Sequence, residues 1–211
     1  GAGENTSENT SLTSGLSVGT GTRLLNTSKL FTQGSLIDTG NSLDMAVEGD
    51  GFFQVLMPDG QIGYTRSGAF SRNAEGVVTT ASGYPLQPEI QIPEDATSIN
   101  VSSDGIVTVQ MPGAVDAEEV GQITLADFTN KQGLQPNGES MLMETAASGA
   151  PIIANPFQEG MGRLVQGAVE SSNVNVVQQL VDMIETQRAY EVSSKTITSV
   201  DEMMRYIAQN L

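Results

Sequence analysis

The chain has 211 residues, of which 38% are hydrophobic and 5% aromatic, and its formal net charge is −16 at pH 7. Such acidity argues against polyanionic partners, so we expect neither nucleic-acid binding nor docking on anionic membranes. The chain contains neither cysteine nor histidine, which excludes disulfides, thiolate or serine–histidine catalysis, and histidine-based metal sites. No apolar run approaches the ~18 residues of a membrane span. We therefore expect no enzyme, no cofactor and no membrane insertion.

Composition and patterning divide the chain into three regions. Residues 1–18 are dominated by Gly, Ser, Thr, Asn and Glu and are predicted to be a flexible N-terminal stretch. Residues 19–170 alternate short apolar runs with turn residues, which predicts a β-rich body. Residues 171–211 are free of Gly and Pro, which predicts one long helix. The expected fold class is mainly β, with an antiparallel body and a coiled-coil-forming C-terminal helix.

Three turn signals organise the first half of the predicted body. Pro58-Asp59-Gly60 separates two strand-like runs, Asn73–Gly76 breaks the next pair, and Ser103-Asp104-Gly105 carries the Asp-Gly dipeptide typical of hairpins. Turns at this spacing argue against β–α–β units. They favour an antiparallel meander or a small barrel.

The second half of the body is less regular. Residues 121–128 and 164–169 are predicted strands because apolar side chains recur along them. Residues 133–160 contain Pro and Gly at several positions and are predicted to be loop-like.

The terminal helix is predicted to begin at N-cap candidates Ser171, Ser172 and Asn173. Over residues 173–211 it would be roughly 58 Å long, which exceeds the width of a compact domain of this size. Apolar residues recur along it at steps of three and four: Val176, Val177, Leu180, Met183, Ile184, Tyr190, Ile197, Val200, Met203, Met204, Ile207 and Leu211. This stripe predicts helix–helix packing, with a helix folded back on its own sheet as the alternative.

Two polar residues, Gln187 and Ser194, interrupt this stripe. Polar seam positions can set the register of packed helices at some cost in stability. The alternative is that an imperfect stripe tolerates them. The predicted assembly residues are Val176, Val177, Leu180, Met183, Ile184, Gln187, Tyr190, Ile197, Met204 and Ile207.

One acidic cluster invites a metal interpretation. Asp44, Glu48 and Asp50 lie in a glycine-containing loop, and Ca²⁺ prefers several oxygen ligands. Their spacing does not match the EF-hand pattern, and carboxylates beside strands commonly serve in turns. We therefore expect a turn and surface element without a metal.

Two sequence blocks carry a family resemblance. The first block runs from Asp44-Met-Ala-Val-Glu-Gly-Asp-Gly-Phe-Phe through Tyr64-Thr-Arg-Ser-Gly-Ala-Phe. The second comprises Ser172-Asn-Val-Asn-Val and Leu180-Val-Asp-Met-Ile-Glu-Thr-Gln-Arg-Ala-Tyr-Glu. Together they resemble the bacterial flagellar rod and hook proteins. The chain length and the Thr186–Glu191 run are most similar to the distal-rod branch, with the proximal-rod and hook branches as alternatives.

The resemblance implies a structural subunit of a helical homopolymer. Terminal helices would pair as an inner tube, β bodies would form the outer layer, and the tube would transmit motor torque across the periplasm to the hook. Implied partners are other copies, the proximal-rod and hook proteins, and the rings that surround the rod. Export would use the flagellar type III apparatus without a cleaved signal. Roughly the first fifty family residues, including an amphipathic helix, have no counterpart in this sequence.

A rival of another class is a surface glycan-binding β protein with a helical tail. It would need a groove lined with aromatic side chains and paired carboxylates. The absence of Trp and the 5% aromatic content argue against it.

Overall fold

The computed structural model describes residues 29–209, together with the backbone of Asn5–Ser7 and Thr10–Ser11. The chain forms two compact units, residues 1–30 and residues 31–211. In the first unit, β1 (Asn5–Ser7) pairs antiparallel with β2 (Thr10–Ser11). The flexible stretch predicted for residues 1–18 lies largely outside the described residues and stays a prediction.

In the second unit, short strands follow one another up to a long terminal helix. The strands are β3 (Leu36–Asp38), β4 (Met45–Glu48), β5 (Phe53–Leu56), β6 (Ile62–Thr65), β7 (Phe70–Arg72), β8 (Val78–Thr80), β9 (Leu86–Gln87), β10 (Ser98–Val101), β11 (Ile106–Gln110), β12 (Glu118–Gln122), β13 (Leu125–Asp127), β14 (Gln135–Gly138), β15 (Met141–Met143), β16 (Ile152–Ala154), β17 (Arg163–Gln166) and β18 (Ala168–Glu170). A short 3₁₀ helix spans Lys131–Gly133, and the α-helix α1 spans Val176–Gln209. The predicted class, mainly β with one C-terminal helix, is confirmed.

The strands form several small antiparallel sheets. The largest has five strands in the order β14-β15-β6-β5-β9, and a three-stranded sheet has the order β10-β11-β12. The remaining strands pair as β13-β16, β17-β4, β18-β3 and β7-β8. The described part of the body is therefore a set of short ladders, whereas the sequence predicted one meander or barrel. Glycines with positive φ and register shifts interrupt the strands before a longer sheet develops.

The three predicted turns are confirmed. β5 and β6 pair around the turn at Pro58–Gly60, β7 and β8 around Asn73–Gly76, and β10 and β11 around Ser103–Gly105. Gly60 has φ +81°, a conformation that side chains with a Cβ rarely adopt. Local turn chemistry was sufficient to locate these hairpins.

The second half of the body was predicted less well. Residues 133–160 contain strands β14, β15 and β16, although the sequence predicted a loop. These strands pair with distant partners, for example Leu142 with Tyr64, and such pairing leaves little local signal. The predicted strand 164–169 is two strands, because Gly167 has φ +76° and bends the chain. The predicted strand 121–128 is likewise divided into β12 and β13.

Two hydrophobic clusters form the core of the body. The larger contains the fully buried side chains of Phe53, Leu86 and Leu125, and Phe53 packs edge-on against Phe70 with ring centroids 5.1 Å apart. The smaller cluster contains three aromatic rings, Phe52, Tyr64 and Phe128. The rings of Tyr64 and Phe128 lie 4.8 Å apart. The body thus buries its own apolar side chains and needs no helix to complete its core.

Helix α1 begins later than the sequence predicted. Its N-cap is Asn175, whose side-chain oxygen accepts hydrogen bonds from the backbone N–H groups of Val177 (3.1 Å) and Gln178 (3.2 Å). The predicted caps Ser171, Ser172 and Asn173 precede the helix instead. No helix in the described part of the chain is long and apolar enough to cross a membrane.

Candidate assembly surface on the terminal helix

Helix α1 is uncovered along its whole described length. None of its 34 residues is buried. The exposed fraction of the residue is 48% for Ile184 and 76% for Tyr190. The structure places every predicted assembly residue on this helix and exposes each of them: Val176, Val177, Leu180, Met183, Ile184, Gln187, Tyr190, Ile197, Met204 and Ile207. The alternative prediction, in which the helix folds back on its own sheet, is wrong.

An uncovered helix of this composition is a candidate binding surface. Its 34 residues span about 51 Å at 1.5 Å per residue. Helices in water gain most of their stability from tertiary packing of an apolar face. Contiguous exposed apolar surface usually marks a site of protein–protein interaction. The exposed apolar side chains therefore make this helix a candidate assembly surface.

One row of residues repeats with a strict spacing of seven, which the prediction from steps of three and four did not isolate. This heptad column consists of Val176, Met183, Tyr190, Ile197 and Met204. A coiled-coil seam has apolar residues at two positions of each heptad, and this column supplies one of them. The spacing is visible in the sequence and could have been found there.

The polar residues Gln187 and Ser194 belong to the adjacent row. With Leu180, Asp201 and Ala208, they follow members of the heptad column by four residues. Both side chains are exposed. The register-setting role of Gln187 and Ser194 stays a prediction.

The chain that leads into the helix is fastened to the body by hydrogen bonds. The Ser171 N–H donates to the Ser35 carbonyl (2.8 Å), and the Asn173 amide donates to the Thr32 carbonyl (2.8 Å). Gly34 lies so close to the Ser171 carbonyl that a Cβ would collide with it. The segment 32–35 and the segment 170–173 thus form a clasp at the base of the helix.

Arg66 connects this clasp to the acidic loop. Its Nε donates to Glu170 Oε2 (2.9 Å), and Nη1 donates to the carbonyls of Gly49 (2.8 Å) and Gly51 (2.7 Å). Glu170 Oε1 in turn accepts from the Gly34 N–H (2.8 Å). The side chains of Arg66 and Glu170 are 24% and 12% exposed. One guanidinium therefore holds the loop, the last strand and the clasp together.

The acidic loop is accounted for by contacts within the body. Asp44 accepts hydrogen bonds from Thr39 Oγ1 (2.6 Å) and Asn41 Nδ2 (3.0 Å). Glu48 pairs with Arg163 (2.6 Å). Asp50 pairs with Lys131. Across the described residues, no group of three or more acidic, histidine or cysteine side chains is arranged to hold a metal ion.

Two side chains of the body, Lys131 and Tyr64, have shifted pKa values. Burial acts to lower the pKa of Lys131, but its ion pairs with Asp50 and Asp127 outweigh that effect and raise it. Lys131 Nζ lies 3.1 Å from Asp127 Oδ1. Burial, reinforced by the neighbouring Glu144 carboxylate, raises the pKa of Tyr64 to about 12. Both residues belong to the β body and not to helix α1.

Two segments of the chain match known protein families. Residues 46–109 match the family described as the flagellar hook protein FlgE/F/G D1 domain. Residues 165–210 match the family described as the flagellar basal body rod FlgEFG protein C-terminal region. The second match includes the whole of α1, and the first covers Glu48, Asp50 and Arg66.

Curated relatives give the same assignment and match a larger part of the chain. The chain is 48% identical over 208 residues to the flagellar basal-body rod protein FlgG of Buchnera aphidicola subsp. Schizaphis graminum, which covers 99% of this chain and 80% of that protein. It is 42% identical to FlgG of Borreliella burgdorferi over 212 residues, with 100% and 80% covered. Identity to the flagellar basal-body rod protein FlgF of Caulobacter vibrioides is 30% over 185 residues, with 86% and 70% covered. These matches confirm the resemblance read from the two sequence blocks. The chain belongs to the flagellar basal-body rod protein FlgG family.

Proposed function

We propose that this flagellar rod subunit polymerises into the distal part of a tubular drive shaft. The observation that carries the proposal is the uncovered helix α1, which projects apolar side chains from a body whose core is already complete. A subunit that folds without its helix has the whole helix surface available for its neighbours. Contacts between non-equivalent surfaces of identical subunits generate open helical polymers.

The body with its complete core and the uncovered helix would have different roles in the rod. Residues 171–211 would supply the inner tube, residues 19–170 would form the outer layer, and residues 1–18 would remain a flexible stretch. The clasp and Arg66 fix the direction in which the helix leaves the body. Torque applied to the inner tube would pass to the outer layer through these contacts.

Partners, location and the absence of catalysis belong to the same proposal. The chain would contact other copies of itself, neighbouring axial proteins such as the proximal rod and the hook, and the rings around the rod. It would act in the periplasmic part of the basal body after export through the flagellar type III apparatus. The lack of His and Cys and the structural role of its relatives support a non-enzymatic subunit.

The test is assembly of the full-length protein with one altered residue. Unaltered protein at raised concentration should form rods of uniform diameter in electron micrographs. Ile184→Asp should abolish them, because burying an unpaired carboxylate between helices costs on the order of several kcal/mol. Gln178→Asp places the same charge on the polar side of the helix and should leave rods intact. Failure of the unaltered protein to form rods, or rods that persist with Ile184→Asp, would contradict the proposal.

A further inference from the structure

The hairpin formed by β14 and β15 carries the dipeptide Asn137-Gly138 close to its turn. It is the one Asn-Gly dipeptide in the sequence. In such a pair the backbone nitrogen of the glycine can attack the side-chain amide carbon of the asparagine, since no Cβ shields the approach. Whether this reaction occurs in a folded protein depends on how firmly the fold holds the two groups.

Strand β14 is open to water and irregular at this point. It is the edge strand of the five-stranded sheet, and all four of its residues are exposed. Pro136 pairs with Leu142 and Gly138 with Met141, so the ladder shifts register between them. Asn137 is the extra residue of this bulge and has no cross-strand partner to hold it.

The side chain of Asn137 is also weakly held. Its Nδ2 lies 4.0 Å from Met57 Sδ, and a thioether sulfur is a weak acceptor. Its Oδ1 accepts no hydrogen bond from any residue that the structure describes. Neither atom of the amide is therefore fixed by a strong hydrogen bond.

Other asparagines of the body have firmly held side chains. Asn73 Oδ1 accepts a hydrogen bond from the Val77 N–H (2.8 Å). Asn41 Nδ2 donates to Asp44 Oδ1 (3.0 Å). These bonds oppose the side-chain rotation that an attack on the amide carbon requires.

Two further asparagines lack a suitable nitrogen on the following residue. Asn100 precedes the β-branched Val101, whose N–H donates to Gln166 Oε1 (3.1 Å). Asn155 precedes Pro156, which has no N–H. Asn137 thus combines a weakly held amide with a following glycine, which none of these four asparagines does.

We propose that Asn137 is a site of spontaneous deamidation in the folded protein. The Gly138 nitrogen loses its proton to hydroxide and forms a bond to Asn137 Cγ, and the Cγ–Nδ2 bond breaks to release ammonia. Water then opens the resulting cyclic succinimide at either carbonyl. The products are aspartate and isoaspartate, and each carries a negative charge that the asparagine lacked. The reaction consumes only water and does not depend on rod assembly.

The bulge limits the structural effect of this change. Isoaspartate lengthens the main chain by an atom, but it does so at a residue that already stands outside the ladder pairing. We therefore expect the hairpin to remain folded. The body would acquire a negative charge with age at a fixed place on its surface.

Incubation of the purified 211-residue chain at mildly alkaline pH tests the proposal. Peptide mapping by mass spectrometry should show Asn137 converted at least about ten times faster than Asn41, Asn73 or Asn100. Both aspartate and isoaspartate should appear, and the rate should rise with pH because the attacking nitrogen must lose its proton. Isoelectric focusing should show a more acidic species that accumulates at the same rate.

Two exposed positions provide the variant and its matched control. Asn137→Gln should abolish the acidic species, because the longer side chain would have to close a larger and less favourable ring. Asn100→Gln makes the same change on another exposed strand residue and should leave the acidic species unchanged. Near-ultraviolet circular dichroism checks that the incubated protein stays folded.

Two results would overturn the proposal. If Asn137 reacts first in urea but no faster than the three comparison residues in the folded chain, the hairpin protects the dipeptide. If another asparagine accounts for the acidic species, or if Asn137→Gln leaves it unchanged, the assignment to Asn137 is wrong.

Discussion

The β body buries many of its apolar residues, whereas helix α1 exposes all of its own. In the body, Phe53 and Leu86 are completely buried, and aromatic rings pack against one another in both core clusters. In the helix, Tyr190 is 76% exposed and no residue is buried. Burial of apolar surface contributes about 25 cal/mol per Å². The body therefore gains this stabilisation on folding, whereas the helix gains it only on association.

The largest expected effect on the isolated subunit is in the core. Phe53→Ala should lower the free energy of unfolding of the body by about 3–5 kcal/mol, because it removes a buried ring and leaves a cavity. Tyr190→Ala on the helix is the matched control and should change it by less than about 0.5 kcal/mol. Chemical denaturation followed by near-ultraviolet circular dichroism measures both. Equal effects would contradict the separation of body and helix.

A smaller effect is expected at the connection between the two regions. Arg66→Met should destabilise the body by about 2 kcal/mol, because it leaves the mostly buried Glu170 carboxylate without its cation. Arg163→Met is the matched control, since the pair of Arg163 with Glu48 is exposed and contributes about 0–1 kcal/mol. Denaturant titration at pH 7 compares them. A loss of stability no greater for Arg66→Met than for the control would show that the connection is not structural.

A pH-dependent effect should be confined to the body. The folded body holds the phenolic proton of Tyr64 up to a pKa of about 12, above the ordinary value of 10.0. The corresponding stabilisation is complete below pH 10 and is lost as the pH rises towards 12, by up to about 2 kcal/mol. Tyr64→Phe should flatten this part of the stability profile. Melting temperatures at intervals between pH 9 and 12 provide the measurement, and an unchanged slope would be the contrary result.

The smallest effect is expected for the helix within the isolated subunit. Ile184→Asp should leave the melting temperature of the body unchanged, although the same substitution abolishes rods in the assembly test. The reason is that Ile184 contacts water in the subunit. Calorimetry of the isolated chain is the measurement. A clear fall in the body transition would mean that the helix belongs to the core of the body.

Several features could be read from residues close together in the chain. The turns at Pro58–Gly60 and Ser103–Gly105 carry their own conformational preferences, so the hairpins around them were predicted correctly. The terminal helix was predicted from its periodicity and from the lack of Gly and Pro. Its start was misplaced because Ser172 and Asn173 are as suitable for capping as Asn175. The strands within 133–160 were missed because their pairing partners lie far away in sequence.

The contacts of the acidic loop also could not be predicted from the sequence, because its partners are distant in the chain. The sequence offered a turn or a calcium site for Asp44, Glu48 and Asp50. The contacts that distinguish them come from Thr39, Arg163 and Lys131. Lys131 lies 81 residues from Asp50 in the sequence, and Arg163 lies 115 residues from Glu48. The residues next to each carboxylate in the sequence do not predict such pairings.

By itself, the sequence determined the periodicity of the helix, the positions of tight turns and the family, because each depends on residues near one another in the chain or on their order. Only the tertiary structure decided that the body leaves the helix uncovered, and that Arg66 binds Glu170 and the acidic loop. Those outcomes depend on which distant segments meet, and close packing of the whole body selects them.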